Sequence, residues 1–128
     1  MTIEQYHSLF AEIKNILHDE RIDIVYCKMA MKLGENCEGY YQPDRPNKIF
    51  IGEHFKEKDS DTINDEPLVI AHELGHYFDF KANPSQSISE YDREISANTY
   101  MINISKKYGL EKRAESAAKN RMKDITIR

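Results

Sequence analysis

The sequence has no tryptophan and only two cysteines, five glycines and four prolines among 128 residues. Cys27 and Cys37 are too few for the disulfide framework of a small secreted scaffold, and they are not spaced as a Cys-x-x-Cys pair. They read as buried or idle thiols, with a disulfide or a cysteine metal site the lesser alternative. Nothing approaches the roughly 18 consecutive apolar residues of a membrane span, and the N-terminal MTIEQYHSLFAEIK lacks a signal-peptide apolar core. These absences predict a cytoplasmic protein with no membrane partner. An excess of positive charge is missing too: 18 Lys and Arg against 22 Asp and Glu give a net charge of -4. Nucleic acid is bound through clustered cations, so no direct nucleic-acid partner is expected.

What is present is a globular balance, 40% hydrophobic with 31% charged residues, under a polar surface reflected in a mean hydropathy of -0.72. The length fits one domain, 1–128, and no repeat, low-complexity tract or linker divides it. Apolar residues at three- and four-residue steps from Ile3 to Leu17, behind a Thr2/Gln5 capping box, predict a first helix. IDIVYCKM suits a strand, and MAMKLG, ending at Gly34, fits a short helix or a loop. EGYYQ and KIFIGE flank PDRPN, whose prolines, Asp44 and Asn47 are turn chemistry, so the pair predicts a hairpin. The polar HFKEKDSDTINDE predicts an exposed loop. A helix follows from about Glu66 to Phe80 with Pro67 in its first turn, another from about Ser89 to Tyr108 stopping at Gly109, and then a last, loosely docked helix. The predicted class is α+β, in the order α-β-β-β-α-α-α.

The chemistry concentrates in Ala71-His72-Glu73-Leu74-Gly75-His76, an H-E-x-x-H string inside a segment already read as helical. Residues four apart share a helix face, so the imidazoles of His72 and His76 can converge on one tetrahedral cation. Glu73, about 100° around the helix from His72, can reach a metal-bound water without being a ligand, which is the position of a general base. Ile70, Ala71, Leu74, Tyr77 and Phe78 form the apolar side of the same helix, and Gly75 would let another backbone pack close. The plainer alternative is a pair of partly buried helix histidines beside a solvated Glu73.

A catalytic zinc needs a third protein ligand. In SEYDREISANTYM, Glu94, Ala97, Asn98 and Met101 share a face, which favours Glu94 as ligand over its neighbours Glu90 and Asp92. Ala97 permits close helix approach, and the Asn98 amide oxygen could accept the N–H of a ligating imidazole. For an oxyanion donor, Tyr91, Tyr100, Arg93 and His54 are candidates without a ranking.

AHELGH followed by Glu94-Ile-Ser-Ala97-Asn98, with KIFIGE and PLVIAHELGH ahead of it, resembles the ImmA/IrrE family of metallopeptidases over roughly residues 22 to 108. The resemblance implies a thermolysin-like, gluzincin-type minimal zincin: a small three-stranded sheet packed with the H-E-x-x-H helix and further helices. It implies one zinc, with manganese as the other option, on His72, His76 and Glu94, and Glu73 as base. It further implies a bacterial or mobile-element regulator whose protein or peptide substrate is a helix-turn-helix repressor. Phe80 stands where the family often has a further histidine, and Thr99-Tyr100-Met101 departs from the usual continuation of E-x-x-A-N. The expected function is therefore a zinc metalloendopeptidase. A metal-stabilised regulator that binds a protein without cutting it is the alternative, and a zinc hydrolase of small non-peptide amides is a third. Edge pairing of KIFIGE with an extended peptide is one expected mode of substrate binding.

Overall fold

The first helix, α1 (Ile3–Asp19), begins with a closed capping box: the Thr2 hydroxyl accepts from the Gln5 N–H at 3.1 Å and the Gln5 side chain accepts from the Thr2 N–H at 2.8 Å. Tyr6, Leu9, Ile13 and Leu17, spaced by three and four, are its buried stripe. The computed structural model describes residues 2–28, 38–56 and 64–126, with side chains as far as 122. The MAMKLG segment and Cys37 lie outside the described residues; Cys27 is a free thiol.

Three strands follow: β1 (Asp23–Cys27), β2 (Gly39–Tyr41) and β3 (Lys48–Gly52). The predicted hairpin is present, with Gly39, Tyr40 and Tyr41 facing Ile51, Phe50 and Ile49 in antiparallel register. Tyr40 stacks on Phe50 across this pair at 4.7 Å between ring centroids. β1 pairs with the other side of β3 in parallel, so the sheet is mixed with order β1-β3-β2. This corrects one expectation. KIFIGE is the middle strand, paired on both sides, because Ile49, Phe50 and Ile51 are all buried and a strand buried on both faces belongs at the centre of a sheet. Beyond it, a single 3-10 turn at Glu53–Phe55 buries Phe55 within the segment expected to be a wholly exposed loop.

The site lies between α2 (Glu66–Ala82) and α3 (Glu90–Lys106). α2 has Pro67 in its first turn, and the Asn64 side chain accepts from the Glu66 N–H at 2.8 Å in place of a cap from Asp65. Its residues 66–75 are buried on every side, not along one stripe, so α2 is the central element of the molecule. Ser89 caps α3 by accepting from the Asp92 N–H at 3.1 Å. At the other end, Gly109 takes a φ of +74°, a left-handed stop that favours glycine.

The last helix, α4 (Glu111–Thr126), is docked more firmly than expected. Leu110, Ala114 and Ala118 are buried in the same core as Leu9, Ile13, Ile49, Ile51, Leu74 and Met101. The described architecture is thus α+β, four helices around a small three-stranded mixed sheet. No described helix is long and apolar enough to cross a membrane.

Candidate metal centre

Two close contacts fix α3 on α2. Gly75 faces Ala97: a Cβ added at Gly75 would lie 2.7 Å from both the Cα and the carbonyl oxygen of Ala97. One turn further along, Arg93 donates to the Asp79 carboxylate at 2.9 Å and to the Ser85 carbonyl at 2.6 Å, with its guanidinium 3.8 Å from the centroid of the Phe80 ring. Both side chains of that ion pair are less than a tenth exposed. A small-residue contact and a buried ion pair therefore set the register that brings Glu94 opposite His72 and His76.

His72 is 1% exposed. Its Nδ1 stands 2.9 Å from the Asn98 amide oxygen, and its Nε2 stands 3.0 Å from Glu94 Oε2. His76 Nε2 stands 2.9 Å from the other oxygen, Glu94 Oε1. The two rings are edge to face at 4.8 Å between centroids. Four polar atoms, two ring nitrogens and two carboxylate oxygens, thus meet at one point between the helices.

The electrostatics follow from that crowding. Burial alone would raise the Glu94 carboxyl, but the hydrogen bonds from His72 and His76, and their charges, hold it well below the usual carboxylate range. Burial opposes protonation of His76, yet the Glu94 hydrogen bond and the carboxylates of Glu73 and Glu94 outweigh it and raise its pKa.

Whether these residues suit a metal ion turns on hydrogen-bond logic. With the Asn98 oxygen on its Nδ1 side, His72 carries a proton there, so its Nε2 either donates a second proton to Glu94 as an imidazolium or, in the neutral ring, presents a bare lone pair toward the carboxylate. Two acceptors at 3.0 Å require a proton or a cation between them. Ligand atoms about 2.0–2.1 Å from a tetrahedral zinc are roughly 3.3 Å apart, a few tenths more than the contacts seen here. His72, Glu73 and His76 also bring their ligand atoms within 4.8 Å of one another. A His-Glu-His group of this kind can hold a metal ion, and borderline-soft imidazole with carboxylate suits zinc and does not exclude manganese.

Two carboxylates compete for the third position. Glu94 touches both Nε2 atoms, whereas the buried Glu73 leaves Oε2 with no hydrogen-bond partner among the described residues. That separation places Glu94 against both imidazoles and leaves Glu73 with a buried acceptor oxygen beside them. His76 Nδ1 and Asn98 Nδ2 are likewise buried and without a partner among the described residues.

Beside these groups lies a cleft of about 480 Å³ whose walls include Tyr40, Tyr41, Phe80, Ile88 and, from α4, Arg121. Of the four oxyanion candidates, only Arg93 reaches this cleft, and its guanidinium is taken by Asp79 and Ser85. Tyr91 is exposed on α3, the Tyr100 ring packs against Phe78, and the His54 ring lies on Phe55. Arg121 and the β2 tyrosines escaped the sequence reading, because their arrival at the site depends on tertiary packing of elements distant in the chain. Comparison of the chain with family models, with curated proteins and with solved structures finds no match.

Proposed function

We propose that the chain is a zinc-dependent metallopeptidase of the zincin type, akin to the ImmA/IrrE peptidases, in which His72, His76 and Glu94 hold the metal. The observation that carries this reading is the meeting of both imidazole Nε2 atoms with both oxygens of Glu94, beside the unpartnered buried oxygen of Glu73. Held there, zinc would supply Lewis acidity that polarises an amide carbonyl and lowers the pKa of water toward neutrality.

The protein's own residues do the rest. Asn98 fixes the His72 tautomer, so that Nε2 faces the site as a donor of electrons. Glu73 takes the proton of the attacking water and later delivers it to the amine released when the C–N bond breaks. The apolar wall of the cleft, with Tyr40, Tyr41 and Phe80, accepts an extended segment of a protein or peptide. A regulatory protein such as a helix-turn-helix repressor, in the cytoplasm, is the substrate this reading favours.

A second reading, a metal-stabilised regulator that binds its partner without cutting it, is favoured by the way Glu94 already bridges both histidines inside the protein. Glu73→Gln separates the two. In a peptidase the zinc-loaded variant keeps its metal and loses at least 100-fold in cleavage of a peptide library, as expected for loss of a general base. If Glu73→Gln cuts as well as the wild type, or the wild type cuts no protein or peptide, the peptidase reading fails.

A further inference from the structure

Arg121 sits near the C-terminal end of α4, about 45 residues beyond His76, yet its side chain lines the cleft together with His72, Glu73, His76 and Glu94. The other arginine of the cleft, Arg93, is buried and committed to Asp79 and the Ser85 carbonyl. Arg121 is half-buried, and among the described residues no ion pair or hydrogen bond occupies its guanidinium. The anchor of α4, by contrast, is apolar: Leu110, Ala114 and Ala118 enter the core. Docking of this helix therefore does not depend on Arg121.

We infer that Arg121 is a specificity-determining residue that pairs with a carboxylate of the bound peptide, either an Asp or Glu side chain near the scissile bond or the peptide's own carboxyl end. This rests on the peptidase reading for the identity of the ligand as a peptide, and on the cleft for the rest. A guanidinium matches a carboxylate with two parallel N–H donors, a geometry that lysine cannot reproduce. The cleft otherwise carries the acidic Glu73, Glu90 and Glu94 beside the committed Arg93, and the chain as a whole carries a net charge of -4. An acidic peptide is thus repelled by the protein at large, and a preference for one must come from a local cation.

The test uses zinc-loaded Glu73→Gln protein, so that binding is read without turnover. N-acetylated octapeptide libraries, one with amidated and one with free carboxyl ends, are passed over the immobilised protein and retained peptides are identified by mass spectrometry. The expected result is about tenfold enrichment of Asp and Glu at one position, or of free over amidated ends, the scale of one charge-assisted contact. The library in which the enrichment appears tells the side chain from the terminus. Adding Arg121→Gln reduces the enrichment to within about twofold, and Arg121→Lys restores part of it, with thermal stability unchanged in both. Retention without carboxylate preference, a preference that survives Arg121→Gln, or no retention at all would overturn the inference. A wild type that cleaves none of these peptides, beside a carboxylate preference that depends on Arg121, would instead sink the peptidase reading and leave this assignment standing.

Discussion

Gly75 lies against the backbone of Ala97, so close that a methyl group at position 75 would sit 2.7 Å from the Ala97 Cα. Alanine is the better helix former by about 1 kcal/mol, so an unconstrained helix would gain from Gly75→Ala. Here the added carbon meets backbone, which cannot swing aside, and overpacking costs about 1–3 kcal/mol. Gly75→Ala is expected to lower stability by up to about 2 kcal/mol net in urea denaturation. It also separates Glu94 from the two histidines, so zinc affinity falls as well. Unchanged zinc affinity with raised stability would show that the helices are not held at this contact.

The buried ion pair behind the site gives a different signature. Removing Arg93 leaves the Asp79 carboxylate buried without its counter-charge, and Arg93→Ala is expected to cost about 3–5 kcal/mol. Asp79→Ala strands Arg93 in the same way. The double variant is expected to lose less than the sum of the two, since neither charge is then uncompensated. Additive losses in denaturant melts would show that the two side chains act independently.

Asn98 acts through His72. Truncation to alanine leaves the His72 Nδ1–H buried without its 2.9 Å acceptor and frees the ring to change tautomer. Zinc affinity, measured by competition with a chromophoric chelator, is expected to fall about 10- to 100-fold in Asn98→Ala. A zinc affinity equal to wild type would remove Asn98 from the metal site.

Much of this arrangement is legible in the string itself. The four-residue step of His72 and His76 and the shared face of Glu94, Ala97 and Asn98 are consequences of helical periodicity, which local sequence carries. The hairpin was legible for a similar reason: turn chemistry separates two short strand patterns. What the string concealed depends on assembly. KIFIGE reads equally as an edge or a centre strand until β1 is known to pair beside it, and the burial of Leu110, Ala114 and Ala118 appears only when α4 meets the core. The sparse apolar residues of that last helix suggest loose docking, yet small alanines allow close approach and need little area to do so.

A carboxyl away from the two histidines, Glu66, is expected to add a pH dependence of its own to folding. Glu66 is buried in the first turn of α2 and accepts a hydrogen bond from the Tyr26 hydroxyl at 2.9 Å. Burial pushes its pKa upward, against the smaller opposing effects of that hydrogen bond and of Lys14 and His54. Burial, with the hydrogen bond to Glu66, pushes the Tyr26 hydroxyl up to about 12. A carboxyl with a raised folded pKa binds more protons folded than unfolded, so stability falls as pH rises from its ordinary value through the folded one. Glu66→Gln keeps an acceptor for Tyr26 and removes the charge. The variant is expected to match the wild type in acid and to exceed it above that window in urea melts taken at a series of pH values. A variant that is weaker by the same amount at every pH would show that burial of the charge is not the controlling cost.

Equilibrium zinc content, measured by elemental analysis on tag-free protein, decides whether His72, His76 and Glu94 together hold one metal ion. Wild type is expected to carry about one zinc per chain, Glu73→Gln the same, and Glu94→Ala little or none, because a catalytic site closes on three protein ligands. A wild type that stays metal-free after zinc addition, or a Glu94→Ala protein that binds zinc as tightly as wild type, would show that these three side chains do not form a metal site.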